Sequence, residues 1–116
     1  MTISPIFKDT LFFAPAALTG ANTNTSALQV AVQNQAACKD FVFQITVGSI
    51  GSNVVVRAEG SLDGTNYFNL GSTDTTLTGN GTIRLNFTDF PVKYVRGKLV
   101  SISGGSPSVA FLISAL

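Results

Sequence analysis

The chain contains no histidine and no tryptophan, and Cys38 is its single cysteine. One cysteine cannot form an intrachain disulfide, and the absence of histidine excludes Ser-His-Asp triads and the usual zinc sites. Cys38 also lacks a histidine that could serve as its general base. We therefore expect Cys38 to be structural or incidental.

Charge is scarce as well. Only 11% of the 116 residues are charged, against roughly 25% in typical soluble domains. With 45% hydrophobic residues, the chain is too apolar to be disordered and is long enough for one packed domain. Because charge is depleted in the interior of protein–protein contacts, this composition favours an assembly subunit over a free monomer.

Neither nucleic acid nor membrane is expected as a partner. The net charge is +1 and the sequence has no basic run. It therefore lacks the cluster of basic residues with which proteins bind nucleic-acid phosphates. No stretch approaches the roughly 20 apolar residues of a membrane helix. The apolar run 11–18 is short and contains Pro15, which makes it a poor signal peptide. We expect a soluble protein without an export signal.

Apolar and polar residues alternate with period two, which predicts half-buried strands. The clearest cases are residues 41–47, 54–59 and 82–87. In the second of them, Arg57 and Glu59 are expected to face water. Less regular strands are predicted at residues 11–18, 27–32, 67–70, 92–102 and 108–116, and Gly97 suggests a bulge or bend in the fourth of these.

Gly- and Asn-rich turn signals separate these strands, at residues 20–24, 48–51, 63–66, 79–81 and 104–107. No window has a helical apolar pattern. The predicted fold is all-β, a single-domain antiparallel β-sandwich of about eight strands with jelly-roll-like topology. The sandwich would span residues 11–116. Residues 1–10 would be either a short N-terminal arm or a lead-in to the first strand.

Candidate chemical sites are few. Asp63 opens a segment that resembles a calcium loop, but the downstream acidic ligand is missing, so we favour a tight turn and expect no metal. Glu59 and Asp63 could pair as glycosidase carboxylates, yet no cleft is predicted around them. We expect no catalytic residue and no cofactor, so the protein is not predicted to be an enzyme.

A small basic group lies near the end of the chain, at Lys93, Arg96 and Lys98, with Tyr94 between them. On a strand, Arg96 and Lys98 share a face with Tyr94, and Lys93 lies opposite. A solvated sheet face explains this pattern most simply. The alternatives are a surface for an acidic partner and a glycan site that also uses Tyr67.

Two segments carry a resemblance, residues 56–70 with the run EGSLDGTNY and residues 90–96 with YVR. They resemble small β-sandwich proteins of tailed-phage virions, as do the opening residues 16–28. The same pattern is similar to discoidin-like carbohydrate-binding modules, which often show SxDGxxW before a YVR strand. Tyr67 stands where that aromatic is commonly Trp.

The phage resemblance implies a capsid decoration (cement) protein on the virion surface, made in the host cytoplasm. Such a protein stabilises the shell by bridging subunits of the major capsid protein, commonly as a homotrimer. The apolar cluster 7–13 is larger than one strand face can bury. Its members Phe7, Leu11, Phe12 and Phe13 are the expected contacts, and the alternative for Phe12 or Phe13 is core packing, since alternation would bury one of the two.

The resemblance to carbohydrate-binding modules implies a different class of function. The chain would then be a glycan- or cell-surface-binding module of a phage tail or head fibre. Its expected contacts are Asp63, Asn66, Tyr67, Tyr94 and Arg96.

Overall fold

The computed structural model describes residues 18–30, 40–71 and 73–115. These ranges contain strands and no helix, so none that could span a membrane. The seven strands, all antiparallel, belong to one hydrogen-bonded sheet. They are β1 (Thr23–Asn24), β2 (Leu28–Gln29), β3 (Phe41–Ser61), β4 (Phe68–Asn69), β5 (Thr75–Leu77), β6 (Gly81–Phe87) and β7 (Tyr94–Ala115). The predicted all-β, antiparallel fold is confirmed.

Two long strands, β3 and β7, form the centre of the sheet. β3 and β7 pair along their whole length, from Phe41 opposite Ala115 to Ser61 opposite Tyr94. The pairing shifts in register on both sides of Ile50. Around this point the backbone has positive φ at Ser49 (56°), Gly104 (75°) and Gly105 (70°). These residues form a corner at which both strands turn together.

The corner divides the sheet into two layers. The first layer contains β6, residues 41–48 of β3 and residues 108–115 of β7. The second contains residues 53–61 of β3 and 94–103 of β7, with β4 and β5 on one side and β1 and β2 on the other. The sheet thus folds back on itself into a sandwich-like single domain.

The core lies between the two layers. It is built from the inward residues of each long strand, which alternate with outward ones as the sequence predicts. The fully buried hydrophobic residues are Val30, Phe41, Phe43, Ile45, Val47, Val54, Val56, Ala58, Leu70, Val92, Val95, Leu99, Val109, Phe111 and Ile113. Ile83, Leu85 and Phe87 of β6 pack against this core but are only half-buried, because β6 borders the first layer.

Several predicted boundaries differ from the structure. Segments 48–51 and 104–107 were expected to end strands, but they form the corner inside β3 and β7. The described part of the chain contains seven strands. β1 and β5, with two and three residues, were not predicted because such short polar segments show no alternation. Of the strand predicted at 11–18, only Leu18 lies within the described residues, and the arm at 1–10 lies outside them.

Gly97 does not mark a bulge. The irregularity falls at Val100, because Val55 pairs with Ser101 while Val56 pairs with Leu99. A Cβ built on Gly97 would instead overlap the ring of Phe111 in the other layer. At Gly97 the two layers therefore approach each other closely across an aromatic ring.

Candidate functional site

The outer face of the second layer holds a network of charged and polar side chains. We call it the charged network, and its members are Arg57, Glu59, Tyr67, Asn69, Asp74 and Arg96. Glu59 lies opposite Arg96 in the pairing of β3 with β7, and opposite Asn69 in the pairing of β3 with β4. Opposite residues on antiparallel strands share a face, so the register brings these groups together.

Glu59 is the buried centre of the network, with 4% of its surface exposed. One carboxylate oxygen accepts a hydrogen bond from Arg96 Nε at 2.7 Å, and the other accepts one from Arg57 Nη1 at 3.3 Å. The prediction that Glu59 faces water is wrong. It points outward from the sheet, but the two arginines satisfy its charge and cover it, which a buried carboxylate requires.

Arg57 and Asp74 form a bidentate pair. Arg57 donates from Nε to one Asp74 oxygen at 2.7 Å and from Nη2 to the other at 3.0 Å. Asn69 donates to the first oxygen at 3.0 Å. The hydrogen bonds from Arg57 hold the pKa of Asp74 below its usual range, and the Asp74 carboxylate raises the pKa of Arg57.

Tyr67, in the loop after β3, contacts the network through Arg96. The guanidinium carbon of Arg96 lies 3.8 Å from the centroid of the Tyr67 ring, a cation–π contact. The Tyr67 hydroxyl has no hydrogen-bond partner among the described residues, and burial raises its pKa. One ring face and the hydroxyl of this residue are thus enclosed by the protein itself.

The loop at Asp63 is a self-contained turn, as predicted. One Asp63 oxygen accepts hydrogen bonds from the backbone N–H of Thr65 and Asn66, both at 2.8 Å, and from the Ser61 hydroxyl at 2.9 Å. The backbone bonds, from Asn66 and then Thr65, lower the pKa of Asp63 most. Gly64 supplies the expected positive φ of 80°, and a Cβ added to it would lie 3.2 Å from the ring of Tyr94.

The five predicted glycan contacts therefore do lie on one face. Tyr94 and Arg96 point outward from β7, and Asp63, Asn66 and Tyr67 belong to the loop that folds over them. Two of them bind each other, since Asn66 Nδ2 donates to the second Asp63 oxygen at 2.9 Å, whereas Arg96 donates to Glu59. These contacts stabilise the loop. A glycan-binding role for the five residues stays a prediction.

The three carboxylates of this face, Glu59, Asp63 and Asp74, each have both oxygens in hydrogen bonds. No group of three His, Cys, Asp or Glu residues that could hold a metal ion occurs within the described ranges. Asn69 and Asp74 were not singled out from the sequence. The sequence has no local pattern that marks them, since Asn69 is uncharged and Asp74 precedes β5, and their contacts are visible only in the folded chain.

The outer face of the first layer has a very different composition. Three rows of paired residues cross β7, β3 and β6. They are Ser114, Val42 and Asn86; Leu112, Gln44 and Arg84; and Ala110, Thr46 and Thr82. Arg84 is the single charge among these nine residues. We call this surface the charge-poor face.

The charge-poor face also has exposed apolar surface and a shallow depression. Val42 is 36% exposed. A depression of about 410 Å³ is lined by Val42, Arg84, Asn86 and Ser114, together with Asp40 and other residues at the end of the layer. Such a low-charge sheet face is typical of the surfaces that proteins bury against one another.

A second depression, of about 490 Å³, opens at the side of the sandwich. There β6 of the first layer faces β4 and β5 of the second, with Leu85, Phe87, Val56 and Thr75 among the lining residues. Arg57 also lines it, but its guanidinium is held by Asp74.

No protein-family model, no curated protein and no solved structure matches the chain. The predicted shell contacts Phe7, Leu11, Phe12 and Phe13, as well as Cys38, lie outside the described residues.

Proposed function

We propose that this chain is a non-enzymatic structural protein of a tailed-phage virion, a capsid decoration protein. It binds the outside of the shell and bridges neighbouring subunits of the major capsid protein. One observation carries the proposal. The charge-poor face presents nine outward residues with a single charge, Arg84, in a chain whose two outer faces differ sharply in charge.

The distribution of charge supports a contact with protein. Thirteen residues of the chain are charged, seven Lys or Arg and six Asp or Glu. Most of those on the second layer neutralise one another in the charged network. Because Arg84 is the one charge among the nine residues of the charge-poor face, burying this face against a coat protein desolvates little charge. The second layer remains suited to water.

The edge of the first layer supports the same proposal. β6 has seven residues, pairs with β3 on one side and has no strand on its other side among the described residues. An unpaired strand edge exposes backbone donors and acceptors that a partner can bind. Together the edge and the charge-poor face form one continuous surface, and we propose that it contacts the shell in a trimeric assembly.

Cosedimentation with expanded shells of the source phage, combined with light scattering of the protein alone, tests this proposal. We expect a trimer in solution that pellets with the shells and saturates at a fixed ratio to coat protein. A monomer that stays in the supernatant at all concentrations would contradict the proposal, and a screen for glycan binding would then be the next experiment.

A further inference from the structure

Arg84 differs from the other arginines in its surroundings. The chain has three arginines, and two of them, Arg57 and Arg96, bind carboxylates of the charged network. The exposed side chain of Arg84 has no ion pair and no hydrogen bond among the described residues. Its planar fork of five N–H donors is therefore available to a partner.

Arg84 belongs to the middle one of the three rows that make up the charge-poor face. It lies opposite Gln44 on β3, and Gln44 lies opposite Leu112 on β7. Two positions away along β6, on either side, are Thr82 and Asn86, which belong to the other two rows. A partner that covers all three rows therefore also covers Arg84.

The two depressions described above share lining residues at this point. Arg84, Asn86 and Phe87 line both of them. Among the described residues that line either depression, Asp40 has the one carboxylate. Asp40 accepts a hydrogen bond from the backbone N–H of Asp89 at 3.1 Å and forms no ion pair with Arg84. Arg84 thus adds to this concave surface a positive charge that no described carboxylate pairs with.

Burying Arg84 without a partner would oppose binding. Taking an ion out of water is unfavourable unless the contact pairs it and satisfies its hydrogen bonds. The other eight residues of the charge-poor face are uncharged, so none of them can neutralise the guanidinium. A coat protein that covers this face must therefore supply the opposite charge itself. A carboxylate fits best, because it accepts two parallel hydrogen bonds from one guanidinium.

We propose that the major capsid protein presents an Asp or Glu carboxylate to Arg84, which binds it as a bidentate pair on the charge-poor face. This inference rests on the proposed function and adds the chemistry of the partner to it. The amides of Gln44 and Asn86, beside Arg84 on the same face, are further donors for this carboxylate. The pair fixes where the coat protein docks, since charge complementarity sets register and specificity more than affinity.

Removal of one positive charge from either layer tests the pair. Arg84→Gln and Lys98→Gln each lower the net charge of +1 by the same amount, and Lys98 lies opposite Arg57 on the outer face of the second layer. In cosedimentation with expanded shells, we expect Arg84→Gln to bind at least tenfold more weakly than the unmodified chain. Arg84→Glu should bind more weakly still, because it sets two carboxylates against each other. Lys98→Gln should bind like the unmodified chain, and melting temperatures check that all variants are folded.

A zero-length crosslinker identifies the carboxylate itself. Arg84→Lys keeps the positive charge and supplies an amine, which a water-soluble carbodiimide joins to a contacting carboxylate as an amide, with loss of water. For this variant bound to shells, we expect mass spectrometry to find a peptide that joins position 84 to an Asp or Glu of the coat protein. The unmodified chain has no amine at position 84 and is the control for crosslinks formed by its own lysines.

The outcomes separate the pair from the proposed function. Equal binding of Arg84→Gln and Lys98→Gln would overturn the pair and leave the proposed function standing. Weak binding of Arg84→Gln, with no crosslink at position 84 in bound Arg84→Lys, would overturn the carboxylate, because uncharged acceptors would then bind the guanidinium. If the unmodified chain does not pellet with shells, the proposed function itself fails, and this inference fails with it.

Discussion

At the scale of single residues, Arg57 and Asp74 form a bidentate charge pair on the outer face of the second layer. Its two hydrogen bonds measure 2.7 and 3.0 Å, and about a quarter of each side chain is exposed. Charge-assisted, bidentate bonds of this kind are stronger than neutral ones. The pair ties the segment after β4 to the outer face of β3.

This pair predicts a loss of stability in acid. Hydrogen bonds from Arg57 lower the pKa of Asp74 in the folded protein, whereas an unfolded aspartate titrates near 3.9. Between these two pKa values the unfolded chain binds more protons, so the free energy of unfolding falls as the pH drops below about 4. Asp74→Asn should make this fall shallower in urea titrations between about pH 5 and 2.

The control for this experiment is Thr76→Ala, an exposed change on the same face that removes no titratable group. It should keep the slope of the unmodified protein. A slope for Asp74→Asn that equals that of the control would show that Asp74 is not held in its charged form by Arg57.

Glu59 shows what the sequence could and could not predict at this scale. Alternation correctly placed it on the outer side of β3. Its burial depends on Arg96, which follows 37 positions later in the chain. No local pattern contains that contact, since it arises from the pairing of β3 with β7 and from the loop that carries Tyr67.

At the scale of elements, the close approach of Gly97 to Phe111 joins the two layers. A Cβ at position 97 would lie well within van der Waals contact of three atoms of the Phe111 ring. Interiors packed this densely tolerate added atoms poorly. β7 therefore needs glycine at this position so that its two halves can face each other.

We expect Gly97→Ala to lower the free energy of unfolding by about 1–3 kcal/mol, as overpacked cores do. The matched control is Gly79→Ala, because a Cβ there meets nothing within 4 Å; its effect should stay within about 0.5 kcal/mol. Urea unfolding midpoints compare the two. Equal effects would mean that the layers do not meet at Gly97.

Strand positions were more predictable than strand ends. Residues 41–47 alternate so regularly that the sequence alone identifies their buried face, and Phe41, Phe43 and Ile45 are at most 1% exposed. The corner was not predictable, because glycine-rich segments normally signal turns that end strands. Here Gly51 and Gly104 lie against each other on two paired strands. The role of each glycine segment is therefore visible only once the two strands are paired.

At the scale of the whole molecule, the two outer faces differ in charge. The second layer has its charges paired in the charged network, whereas the first layer offers nine outward residues with Arg84 as their single charge. The low charge of the sequence predicted that part of the surface would be covered. It could not predict where the uncharged surface lies, since its residues come from three strands that are distant in sequence.

The most direct test of the account compares two valines of β3 that point outward on opposite layers. Val42 lies on the charge-poor face, and Val55 lies on the outer face of the second layer. We predict that Val42→Asp reduces the affinity for expanded shells at least tenfold, about 1.4 kcal/mol, because it places an unpaired charge in the contact. Val55→Asp should bind like the unmodified chain. Equal binding of both variants, or loss with Val55→Asp alone, would contradict the proposal that the charge-poor face binds the shell.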